Sequence, residues 1–310
     1  MITLADLAAL AAAHPDELDA PVAGLSLAGR EHDLDRSPLL MGVVNLSRDS
    51  TYRDSVAVSV ESAVRRARIM AAQGAGLIDV GAESTTARAS RVSASDQSAA
   101  VVPVIAALAD LGIPTSVEAY EVDVVRAALA AGASVVNLTG TDQADEILDL
   151  AAEHSAAVIL CFMPGATARD VGDLPVDGDP FGVLRDHFAP RIEHARARGV
   201  TQIVIDPGLG FYYANLTRPE ARAQAQAAML ASTFRLRELG VPVCQALPHA
   251  FDLFEEEFRG AEGFFAVLAL LGRAGVLRVH EVGRVAAVVK AMKALRVGPV
   301  TSEALGLTLT

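Results

Sequence analysis

The sequence predicts one closed (β/α)8 barrel of parallel strands. Three observations carry that expectation. Eight short apolar runs recur along 310 residues, stretches of helical period separate them, and nearly every run ends in a polar residue. Runs of four to eight mostly buried residue types suit parallel strands covered on both faces. Strict alternation with helices implies right-handed crossovers. Eight units point to closure. An open doubly wound sheet is the runner-up, but no Gly-x-Gly-x-x-Gly follows a run, so a dinucleotide fold has no support.

The runs are PLLMGVVN (38–45), GLIDVGAE (76–83), PTSVEAY (114–120), SVVNLTG (134–140), AAVILCFM (156–163), TQIVIDPG (201–208), VPVCQALPH (241–249) and GVLRVHE (275–281). Between them, SVESAVRRARIMAAQGAG and EVDVVRAALAAGAS are the clearest helices. Each meets Gly before the next run, the expected helix stop. Residues 1–35 read as a helical and irregular lead-in and 36–300 as the barrel. No linker or repeat divides the chain.

Hydrophobic residues make up 52% and aromatics 5%, so Ala, Val, Leu and Ile must fill the core. A formal net charge of -12 repels phosphate backbones and anionic lipid, which argues against nucleic-acid and membrane partners. Cys161 and Cys244 sit in apolar runs without CxxC spacing and read as inert core thiols. The N-terminus lacks a basic region, and no apolar run reaches membrane length, so a cytoplasmic protein is expected.

In such barrels the active site lies at the C-terminal strand ends. Those ends carry Asn45, Glu83, Glu118, Asn137, Asp206, His249, and Arg278 with His280; only the fifth is apolar, at Cys161 and Met163. Any one could be a cap or a loop hydrogen bond, but seven of eight make a polar cup. Arg278 and His280, two apart, share a strand face and can aim at one anion. The competing reading has Arg278 closing an ion pair with Asp206 or Glu118. Pro-Gly after Asp206 predicts a turn that presents its carboxylate at the rim. A carboxylate beside an amide such as Asn137 suits an aminopyrimidinone, whose ring N–H and exocyclic NH2 offer a two-point contact.

Five segments in order resemble the signatures of dihydropteroate synthases: MGVVNLSRDS, IDVGAEST, GASVVNLTG, IDPGLGF and LRVHE, spanning roughly 38–290. The resemblance implies a pterin site in which Asn137 and Asp206 hold the ring edge and Glu118 stands where the family has Asp. It places Asn45, Arg278 and His280 at the pyrophosphate end, with Asn45 as the residue for magnesium if that ion is used. It also implies a homodimer built on late helices, and GAEGFFAVLALLGRAG is apolar around much of its circumference.

The sequence departs from that pattern at the loops. Arg48 replaces a Pro, and the second loop reads Ser84-Thr85-Thr86-Ala87-Arg88, leaving Arg88 for the anion or second substrate. Pro164 stands for a usual His, Tyr212-Tyr213 for Gly-Lys, and Leu247-Pro248-His249 for Ser-Arg-Lys. The expected function is therefore a pterin- or reduced-folate-binding transferase with altered chemistry, moving a one-carbon unit to a small-molecule nucleophile. Glu118, Asp206 and His249 are its candidate acid–base groups, and Tyr213 lies with Arg88 on the second-substrate side. The alternatives are an ordinary dihydropteroate synthase, acting on a dihydropterin, and a non-catalytic pterin-binding paralogue.

Overall fold

The computed structural model describes residues 1–298 except 48, 50, 51, 53, 54, 58, 85–88, 164 and 171. Arg48, Arg88 and Pro164 thus lie outside the described residues. All eight runs form strands: β3 (Leu39–Asn45), β4 (Leu77–Gly81), β5 (Thr115–Ala119), β6 (Val135–Leu138), β7 (Ala157–Cys161), β8 (Ile203–Asp206), β9 (Cys244–Ala246) and β10 (Val276–Val279). They are shorter than the runs because the polar ends curl into the mouth loops.

Every neighbouring pair is parallel, in the order β8-β7-β6-β5-β4-β3-β10-β9. The ring closes where Ile205 bridges Val243 in parallel and its N–H donates to the Pro242 carbonyl at 3.0 Å.

Two-residue periodicity sorts the strands into layers. Leu77, Val135, Ile159, Val204, Cys244 and Val276 pack together as an apolar plug. Two residues on, the same face presents Asp79, Asn137, Cys161, Asp206, Ala246 and Arg278, so a polar layer rests on the apolar one. The opposite faces, such as Leu40, Val44, Ile78 and Val136, join the main core beneath the helices.

The lead-in holds helices α1 (Leu4–Ala13) and α2 (Pro15–Asp19), and a hairpin the sequence reading did not mark, β1 (Leu25–Leu27) with β2 (Arg30–His32). Ala28 and Gly29 both have positive φ, as a two-residue hairpin turn of the primed kind requires. Leu25 and Leu27, exposed by 2% and 1%, seal the apolar plug from the N-terminal side, leaving the C-terminal mouth as the open end. No helix among the described residues is long and apolar enough to cross a membrane.

Candidate active site

The floor is built around Arg278. Its Nε donates to Asp79 Oδ2 at 2.8 Å and its Nη2 to Glu118 Oε2. Asn137 Nδ2 donates to the same Asp79 oxygen at 3.2 Å, and Cys161 Sγ lies 3.3 Å from Asn137 Oδ1. The ion-pair reading of Arg278 with Glu118 is therefore realised. Asp79, 1% exposed, is the partner that sequence reasoning missed.

Asp206 departs from expectation. It is buried at the floor, not displayed at the rim, because the Gly208 N–H reaches back to its Oδ1 at 2.7 Å. Gly208 makes that turn with φ +84, and a Cβ there would stand 2.4 Å from the Tyr213 hydroxyl and 2.5 Å from the Phe162 carbonyl. Tyr213 also departs from expectation. It is 4% exposed, and its hydroxyl donates to the Gly208 carbonyl at 2.9 Å, so it fastens this turn instead of facing a second substrate. Its exposed neighbour Tyr212 lines the mouth, under the Arg222 guanidinium at 5.0 Å.

Three carboxylates surround one arginine, and burial raises two of them, Glu118 and Asp206. Burial raises Glu118 to about 7; Arg278 opposes this, and the charges of Asp79 and Asp206 reinforce it. Burial likewise lifts Asp206 to about 6, against the Gly208 N–H and Arg278. Near neutral pH the floor can thus hold a proton or give it up.

Glu118, Asn137, Thr139, Cys161, Asp206 and Arg278 line an inner recess of about 30 Å³. It adjoins an outer cavity of about 320 Å³ that shares Glu118 and Arg278 and adds Asn45, His249 and His280. Asn45 Nδ2 donates to Ser55 Oγ at the strand-three end. A larger groove, about 650 Å³, runs beside Arg65, Arg66 and Arg284; it shares His280 with the outer cavity but none of the floor residues Glu118, Asn137, Asp206 and Arg278.

Other mouth residues set the loops. Glu83 accepts from the Val92 N–H at 3.0 Å and from the Tyr120 hydroxyl. The buried Arg169 donates to the Ser84 carbonyl at 2.7 Å and to that of Ala89. Burial lowers His249 to about 4 and His280 to about 3, so neither imidazole is cationic at neutral pH.

A buried acid–amide floor under an open mouth is what a pterin edge requires. The model of the family "pterin binding enzyme" matches residues 41–247. This chain belongs to the pterin-binding enzymes. A dihydropteroate synthase of Synechocystis is 31% identical over 274 residues, 85% of this chain and 92% of that protein.

Among solved structures, the dihydropteroate synthase of Xanthomonas albilineans with 4-aminobenzoic acid is 31% identical with a TM-score of 0.73. It covers 89% of this chain, and 99% of that chain is matched. The Thermus thermophilus enzyme in complex with 6HMPPP is 27% identical with a TM-score of 0.70, covering 88% and 100% respectively. These names give no counterpart to the altered one-carbon chemistry expected from the loop departures.

Proposed function

We propose that this pterin-binding enzyme joins a 6-hydroxymethyl-dihydropterin pyrophosphate to p-aminobenzoate, the dihydropteroate synthase reaction. The observation that carries the reading is the floor: Glu118, Asn137 and Asp206 converge on one recess beneath Arg278. Relatives of that name align along most of the chain and support it.

In this reading ionised Asp206 and Glu118 accept from the pterin ring N–H and exocyclic amine, and Asn137 serves the mixed donor–acceptor edge. The arylamine nitrogen attacks the exocyclic methylene. The carbon–oxygen bond to pyrophosphate breaks, the departing oxygen keeps the electron pair, and the amine's proton passes to the departing pyrophosphate or to solvent. Arg278, at the junction of recess and outer cavity, sits where the departing negative charge develops. Asn45 lines the same cavity and would hold a magnesium ion brought in by the pyrophosphate, which supplies charge neutralisation there. Arg222, which lines the cavity over Tyr212, would meet the aminobenzoate carboxylate.

A second reading, one-carbon transfer from a reduced folate, rests on one feature. His249, held neutral by burial, follows the seventh barrel strand where the resemblance has a lysine. One assay separates the readings: the chain is supplied with the pterin pyrophosphate, p-aminobenzoate and magnesium, and pyrophosphate and dihydropteroate are measured. Sustained turnover supports the condensation; binding of both substrates with no product overturns it.

The same reading includes a homodimer. On α10 (Ala261–Leu271) Phe264 and Leu271, one helix face seven residues apart, stay 44% exposed while most of the helix is buried. Sedimentation giving a monomer at micromolar concentration removes this part.

A further inference from the structure

At the seventh and eighth barrel-strand ends, two histidines face one glutamate. Glu262, in the first turn of α10, is 0% exposed. Its carboxylate accepts the backbone N–H of His280 at 2.9 Å and of Glu281 at 2.8 Å. His280 Nδ1 lies 3.0 Å from Glu262 Oε1, and His249 Nε2 lies 3.4 Å from the same oxygen. His249 Nε2 is buried yet makes no hydrogen bond. The three donor atoms all lie within 4.8 Å of one another.

We propose that His249, Glu262 and His280 form a binding site for one divalent transition-metal ion, zinc by its donor set, with its remaining position open to the pterin cavity.

The spacing suits the ion. Donors about 2.1 Å from a tetrahedral centre stand roughly 3.4 Å apart, and two imidazoles with one carboxylate make a recurrent three-ligand zinc set. Both histidines line the cavity, so a fourth position faces substrate space.

The rings are held in place before any ion arrives. Tyr52 packs on His249 at 4.3 Å and on His280 at 4.6 Å between centroids, and Phe251 stacks on His249 at 5.3 Å and 8°. Directly after His249, Ala250 adopts φ 42 and ψ 50, a left-handed turn costly for a residue with a Cβ. Such strain persists where surrounding structure fixes a side chain's aim.

Charge bookkeeping points the same way. A carboxylate with no solvent exposure is costly unless it is paired. Among the described residues, the groups around the Glu262 carboxylate are two backbone N–H donors and the two imidazole rings. A dication lets the carboxylate be charged while both imidazoles stay neutral. Among the charges acting on these rings, Arg278 and Arg66 oppose a cation, and Asp79 and Glu281, the latter bound by the Tyr52 hydroxyl, favour one. Bound there, the ion would return positive charge to a strand end that has Leu247-Pro248-His249 in place of Ser-Arg-Lys. That role rests on the proposed condensation; the binding does not.

The test uses untagged protein stripped with chelator and titrated with Co2+, read by the visible bands of tetrahedral cobalt and displaced by Zn2+. One saturating site per chain is expected. His249→Gln should weaken it by at least the roughly 100-fold that marks the upper cost of a lost supporting contact at metal sites. His194→Gln, on an exposed histidine paired with Asp145, should leave it unchanged. His280→Gln provides a second ligand variant if His249→Gln fails to fold. Absence of a stoichiometric site overturns the proposal, as does a site that survives both ligand substitutions. A site lost equally in His194→Gln also overturns it.

Discussion

The inner and outer halves of the mouth handle buried charge in opposite ways. At the floor one arginine serves Asp79 and Glu118 directly, with Asp206 close by, and excess negative charge is absorbed by raised carboxyl pKa values. At the rim Glu262 is buried beside two histidines, with backbone N–H groups and the His280 ring as its hydrogen-bond partners and, among the described residues, no arginine bound to it. In the proposed reading the floor meets the pterin edge. The rim is where this chain departs from the family pattern, and in the proposed condensation it is where the departing group and second substrate would be managed.

The largest expected effect would break the floor alone. Arg278→Met leaves Asp79 and Glu118 buried without their cation, and should cost about 3–5 kcal/mol of stability. Chemical denaturation measures it; a loss below about 1 kcal/mol would mean water or a proton already compensates the acids.

A second expectation concerns pH. Glu118 has its folded pKa raised to about 7 from 4.5, so the folded chain binds more protons than the unfolded chain between those values. Stability should be full below about pH 4.5 on this account and fall as pH rises to about 7. Pterin affinity should run the other way, rising over the same range as the acids ionise to accept its N–H groups. Thermal melts should show the first slope flattened in Glu118→Gln, and an unchanged slope would contradict the assignment.

The smallest effect belongs to the rim. Arg222→Ala should weaken binding of a carboxylate-bearing arylamine by about 1 kcal/mol, as a half-exposed charge contact warrants. Titration of the same variant with pterin alone should show no change.

These contrasts follow what a sequence can display. The eight strands were legible because burial on both faces writes itself as contiguous apolar runs. Glu118, Asn137 and Arg278 were legible because strand ends are where polarity stands out against such runs. Asp79 was not, since it sits inside the run GLIDVGAE and its justification, Arg278, lies 199 residues away. Nor was Glu262, since an acid in the first turn of a helix is sufficiently explained by the dipole. Its partners come from two other segments that only the closed barrel brings together. Tyr213 was chosen over Tyr212 for the mouth because consecutive residues of a turn have no period to tell inside from outside. The hairpin at Leu25–Leu27 was too short for alternation to register, and Ala28-Gly29 is a weaker turn signal than Asn-Gly.

The central claim is that the floor, not the rim, holds a pterin. Calorimetric titration of the chain and of Asp206→Ala and Tyr212→Ala with 6-hydroxymethyl-dihydropterin tests it most directly. The account expects one site per chain. It also expects a loss of about 2–4 kcal/mol in Asp206→Ala, from removal of a charge-assisted two-point contact, and near-native affinity in Tyr212→Ala. Equal affinity in the parent chain and Asp206→Ala, or a loss confined to Tyr212→Ala, would contradict it.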